Sequence, residues 1–138
     1  MSITVRWDDE DEKKIIRWEF PEMWVWDDFY GALQLSRALT REVKYVVDVL
    51  VDMSKAKMLP KNVLTQTQVT LQTSPLNIGV VVVVSINPLV RAAFNSFMRL
   101  YKNAMRSSSR EIMIVSMEHK AYEIIAEYRA KRKEIIEE

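Results

Sequence analysis

Val46 to Leu64, VVDVLVDMSKAKMLPKNVL, constrains the fold more than any other part of the chain. A run of β-branched residues ends at Asp52-Met53-Ser54, crosses a short basic loop and reaches Pro60, a favoured first residue of a helix. A buried strand feeding a helix is the repeating unit of a parallel α/β sheet. In such sheets ligands gather at the carboxyl ends of strands, so this strand end is the first place to look for a site.

The same pattern recurs along the chain. Ile3, Val5 and Trp7 alternate with polar residues and predict a first strand; Asp8 to Glu12 is a polar turn. Lys14 to Phe20 alternates again, with Ile16, Trp18 and Phe20 on one face and Ile15, Arg17 and Glu19 on the other. The two strands form a hairpin, and Pro21, which lacks a ladder donor, stops the second. Asp27 or Asp28 caps a helix running to Val43, with Phe29, Ala32, Leu33, Ser36, Leu39 and Val43 as its buried stripe.

Lys44 to Met53 is the third strand, and Pro60 to about Thr73 a second, weakly amphipathic helix. Ile78 to Ile86 is nearly continuous valine, as expected of a central strand covered on both faces. Asn87-Pro88 starts a third helix, with Val90, Phe94, Phe97, Met98, Tyr101 and Met105 at helical spacing. After a Ser-rich loop at Arg106 to Arg110 come a fifth strand, Ile112 to Met117, and a closing helix, Glu118 to about Ile136, with Ala121, Ile124, Ile125, Tyr128 and Ile135 inward. The charged end, Lys131 to Glu138, is expected to fray. The expected fold is one α/β domain over 1–138, with an ordered core at about 3–130. Its order is β-β-α-β-α-β-α-β-α, in a mostly parallel five-stranded sheet with an antiparallel edge strand and helices covering it.

Composition removes several function classes. Twenty basic side chains against nineteen acidic ones give a net charge of +1, so no global field points to nucleic acid. The chain has no cysteine and one histidine, His119, which excludes thiolate chemistry and disfavours a His-based metal site. Two glycines, Gly31 and Gly79, cannot build a phosphate loop or a dinucleotide fingerprint, and no cofactor is expected. The longest apolar run, Ile78 to Val84, is far short of the roughly 20 residues that cross a bilayer. No signal peptide is evident at the amino terminus, so a cytoplasmic protein without membrane insertion is expected.

Element order and the turn at Val49-Leu50-Val51-Asp52-Met53-Ser54 resemble the STAS domain of anti-sigma-factor antagonists and sulfate transporters. Small stand-alone STAS-like proteins, with kinship to lipid-carrying CRAL-TRIO domains, look similar too. The resemblance implies a non-enzymatic interaction module. STAS antagonists carry a phosphorylatable Asp-Ser-Ser-Gly-like turn at the start of the second helix. Met58-Leu59-Pro60-Lys61-Asn62 stands there in this chain and has no hydroxyl, so the family's phosphoswitch does not carry over. Ser54 matches a serine that is usually structural.

Four further groups bear on chemistry. Ser54, Lys55, Lys57, Lys61, Asn62, Ser85 and Asn87, with Ser116 and His119, would meet at the mouth formed by the strand ends, where helix amides favour an anion; they equally serve as caps and a solvated loop. Asp48 and Asp52 share one strand face, about 13 Å apart, too far for a shared metal or proton; Arg41 or Lys44 is the expected partner of Asp48, and loop amides that of Asp52. Trp18, Phe20, Trp24, Trp26, Phe29 and Tyr30 form a dense aromatic cluster, which reads as a core lid, a dimer or partner face, or a pocket for a lipid-like ligand. Arg91, Arg99, Lys102, Arg106 and Arg110 read as a solvated basic stripe. The leading expectation is a non-enzymatic regulatory or interaction module, homodimeric or with a protein partner. The alternative is a carrier of a small hydrophobic or anionic ligand.

Overall fold

A computed structural model describes residues 2–63, 65–67, 77–104 and 111–137. Five strands, β1 (Thr4–Trp7), β2 (Ile15–Glu19), β3 (Val47–Asp52), β4 (Ile78–Val84) and β5 (Ile112–Val115), form one sheet in the order β1-β2-β3-β4-β5. β1 pairs antiparallel with β2, and every other pairing is parallel. Three long helices accompany them: α1 (Trp26–Arg41), α2 (Pro88–Ala104) and α3 (Glu118–Glu137). The fold is the α/β architecture that the hydrophobic patterning predicts.

The strand order decides where the helices go. β2 to β5 are neighbours in chain order, and right-handed crossovers that always step the same way all pass over the same side of a sheet. α1 and α2 therefore share one face. α3 follows the last strand and is free to cover the opposite face.

Strand parity sorts the core accordingly. Ile16, Trp18, Val47 and Val49 belong to the cluster under α1, and Val81 also packs against Phe97 of α2. Leu50, Val80, Val82 and Val84 pack against Ala121 and Ile125 of α3.

Several boundaries differ from the sequence reading. α1 begins at Trp26 with Val25 as its cap residue, so Asp27 and Asp28 lie inside the first turn. Asp28 reaches back to accept the Val25 amide at 3.4 Å, and both carboxylates face the positive end of the helix dipole. The helix stops at Arg41, leaving Val43 beyond it.

Pro60 does not open a helix. Asn62 has φ of 64°, a left-handed conformation that breaks helical continuity, and helical backbone starts at Val63. Residues 63 and 65–67 are helical; the expected remainder, to Thr73, lies outside the described residues, as does the Ser-rich loop at 106–110. Asn87 caps α2 as expected, its Oδ1 accepting the Leu89 amide at 2.9 Å.

Candidate functional site

The carboxyl ends of the strands do not assemble an anion site from the residues that the sequence offers. Ser85 is fully buried, and its Oγ accepts the Asn87 amide at 3.1 Å. Asn87 spends its own amide on the Ala56 and Lys57 carbonyls, at 3.0 and 3.3 Å. Ser54 donates its hydroxyl to Asp52 Oδ1 at 2.6 Å, which also accepts the Ser54 amide. Lys55, Lys57, Lys61 and Asn62 are exposed, and Lys57 pairs with Glu22. Ser116, on the loop after β5, and His119, in the first turn of α3, are exposed; Ser116 accepts from Arg91 at 3.3 Å. The topology accounts for this: the parallel strands run in unbroken order, so there is no reversal point at which neighbouring loops part to make a crevice. Of the expected basic stripe, Arg91 donates to the Ser85 carbonyl and Arg99 is exposed, while the side chains of Lys102, Arg106 and Arg110 lie outside the described residues.

On the α3 face are two carboxylate sites that the sequence placed correctly on one side of β3, with the partner of Asp48 mistaken and that of Asp52 incomplete. Asp48 is completely buried. Its partners are Arg129 and Arg132 of α3, at 3.1 and 2.6 Å, and the Val80 amide at 2.9 Å, not Arg41 or Lys44. Gly79 makes room for the cluster: a Cβ there would lie 2.5 Å from both Arg132 and Asp48.

Asp52 takes the expected loop amide and, in addition, Arg17 at 2.9 Å. Arg17, 8% exposed, also binds Glu19 at 2.7 Å and Glu118. Burial alone would lower the Arg17 pKa, yet its bonds to Glu19 and Glu118 outweigh it and the net shift is upward. The Arg17 hydrogen bond in turn holds the Glu19 carboxyl below its usual range. Tyr122 completes the chain by donating to Asp8 at 2.7 Å; burial and that bond push its hydroxyl up to about 12. Every group in this network has a protein partner, which makes it a brace between β2, β3 and α3.

The other face carries an apolar pocket that the sheet and the helices line together. Between the sheet and the helices lies an apolar cavity of about 220 Å³. Its floor is Val49, Val51, Val81 and Val83, its walls are Leu33 of α1 and Ala93 and Phe94 of α2, and Trp24, Trp26 and Phe29 line one end. The sequence shows how such a space arises. Valine and alanine are short, and Ser36 and Thr40 occupy inward positions of α1 where a larger residue would fill the gap. Aromatic rings prop the layers apart.

The aromatic cluster is thus core and cavity wall together. Trp18, Phe20 and Trp24 are buried, and Trp24 packs edge-on against Trp26 with ring centroids 5.1 Å apart. Trp18 Nε1 donates to Ser36 Oγ at 3.3 Å and Trp26 Nε1 to the Lys61 carbonyl at 2.7 Å. Trp24 Nε1 is buried without an acceptor among the described residues. Sequence reasoning singled out these tryptophans but missed Arg37, which lines the cavity beside Ser36 and Thr40. Its signal was its position, four residues after Leu33 on the inward stripe of α1.

Among the described residues no three acidic, histidine or cysteine side chains gather as metal ligands, and no helix is long and apolar enough to cross a membrane. No family model, curated protein or solved structure matches the chain.

Proposed function

We propose that the chain is a STAS-like, non-catalytic binding domain whose cavity holds a small hydrophobic ligand. The cavity carries this reading. Protein interiors close-pack, with few voids larger than a water molecule, whereas this space is about 220 Å³ and is lined almost wholly by apolar side chains. An apolar cavity of roughly 150 Å³ is enough to bind benzene. The STAS-like part rests on element order and on the Asp52-Met53-Ser54 turn at the end of β3. Regulation by serine phosphorylation is not part of the proposal, because Leu59, Pro60 and Lys61 occupy the place of the switch.

Xenon or benzene added to isotopically labelled protein tests the cavity. Amide and methyl shifts should move at Leu33, Val51, Val83 and Ala93 and leave Val80 and Val82 on the opposite face unchanged. Shifts scattered over the surface, or none, would sink the reading. Native mass spectrometry of protein purified from cells should show an adduct of small mass.

A second reading has its own observation. Met23, Val25, Met58, Ile86, Leu89 and Met117 are all exposed, on loops or helix starts that follow the carboxyl ends of β2 to β5. Exposed methionine and aliphatic side chains gathered on one edge suit a protein interface, and a second copy of this chain is the simplest partner. Light scattering should then give a dimer that Ile86→Asp with Met117→Asp converts to monomer. A monomeric wild type at high concentration would rule self-association out.

A further inference from the structure

We infer that the cavity takes an anionic amphiphile, a carboxylate of about eight to ten non-hydrogen atoms, with Arg37 receiving its head group. This rests on the reading that the cavity holds a ligand, and adds the charge, the size and the direction in which the ligand lies.

The size follows from the volume. A cavity of roughly 150 Å³ takes the six carbon atoms of benzene, about 25 Å³ of cavity for each, so 220 Å³ takes about nine such atoms. Charge follows from the lining. Among the described residues, Arg37 is the one charged side chain of the lining, and no aspartate or glutamate touches the cavity. A cation would meet nothing to neutralise it; a carboxylate would.

The direction follows from α1. Trp26 and Phe29 stand at the first turns of the helix and Ser36, Arg37 and Thr40 at its last. Eleven residues separate Trp26 from Arg37, about 16 Å along the axis. Asn77 donates to the Thr40 carbonyl at 3.3 Å and so holds this end of α1 beside the start of β4. The cavity is therefore aromatic at one end and carries its polar side chains toward the other.

At the polar end the donors are those of Ser36 and Arg37, not Thr40. Thr40 gives its hydroxyl proton to the Ser36 carbonyl at 2.8 Å. Ser36 Oγ accepts from Trp18, leaving its own proton to offer. Arg37 keeps contacts with the protein, and its guanidinium, with five N–H donors in a fork that matches a carboxylate, would take the head group alongside them. Its side chain is half-buried, so a head group there stays partly hydrated and escapes the full penalty of entering an apolar interior.

Octanoate and 1-octanol are the probes, since they share a chain length and differ in charge. Calorimetry on the wild-type protein should show octanoate binding at least about tenfold tighter, the usual range for a hydrogen bond to a charged group. In Arg37→Gln, octanoate should fall to the level of octanol while octanol changes less than about twofold. Ala93→Leu, which fills the cavity, should remove both. Equal binding of the two probes to wild type would overturn the anionic head group and leave the cavity reading intact. Binding of neither would overturn both readings. Octanoate binding that survives Ala93→Leu would place the site elsewhere and overturn the inference too. The wild-type comparison decides the anionic head group even if Arg37→Gln fails to fold, and Arg37→Lys, which keeps the charge, then tests the residue: octanoate should still bind more tightly than octanol, and equal binding of the two would overturn the role of Arg37.

Discussion

On the α3 side of the sheet, buried charges are locked to named partners: Asp48 to Arg129 and Arg132, Arg17 to Asp52, Glu19 and Glu118. On the α1 and α2 side the same strands present valine and aromatic side chains, and the layers leave a cavity between them. The charged face tolerates no slack, because an ion taken out of water must meet its partner at close range. The apolar face tolerates a void, because dispersion is non-directional and a missing contact forfeits only a little energy. Rigidity on one side and room on the other come from the same five strands.

The largest expected effect breaks the charged face. Asp48→Ala leaves two arginines and the Val80 amide without their acceptor, and should lower stability by about 3–5 kcal/mol in urea unfolding. A loss below about 1 kcal/mol would mean that the cluster is solvated in solution.

Paired volume changes sharpen the contrast. Val82, fully buried against α3, should lose about 1–3 kcal/mol on Val82→Ile because nothing nearby can yield. Val83→Ile, one residue on and facing the cavity, should be neutral or stabilising by up to about 1 kcal/mol. Equal losses at the two positions would contradict the difference between the faces.

The titration of Tyr122 should appear at alkaline pH. Its folded pKa is raised by burial and by Asp8, so its contribution is complete below the unfolded value near 10 and is lost as pH climbs toward about 12. Glu19 works in the opposite sense: its folded pKa is depressed by Arg17, so its contribution is present above the ordinary carboxylate value near 4.5 and is lost as pH falls through the folded pKa. Stability curves of Tyr122→Phe and Glu19→Gln should be flatter in the alkaline and acid windows respectively. The smallest effect belongs to the exposed Lys57–Glu22 pair, where Glu22→Ala should change stability by less than about 0.5 kcal/mol.

Patterning carried the sequence reading well where the argument was local. Alternation put Asp48 and Asp52 on one face of β3, and Asn87 was legible as a cap because the amide that donates to it lies two residues away in sequence. It failed where the partner was remote. Asp48 meets arginines 81 and 84 residues later, so nearer cations such as Arg41 and Lys44 looked equally suitable. Pro60 looked like a helix start because proline favours the first turn, yet Asn62 turned left-handed just after it.

By itself the sequence determined the alternation of strands and helices, the parity of each strand and the absence of thiol chemistry, since each depends on residues close together in the chain or on composition. Only the tertiary structure decided that the strands lie in unbroken order, that Ser85 and Asn87 are spent on backbone groups, and that the opening lies beneath α1 and α2. Those outcomes depend on how far apart whole layers settle, and a cavity is the sum of many small side chains that no local pattern marks.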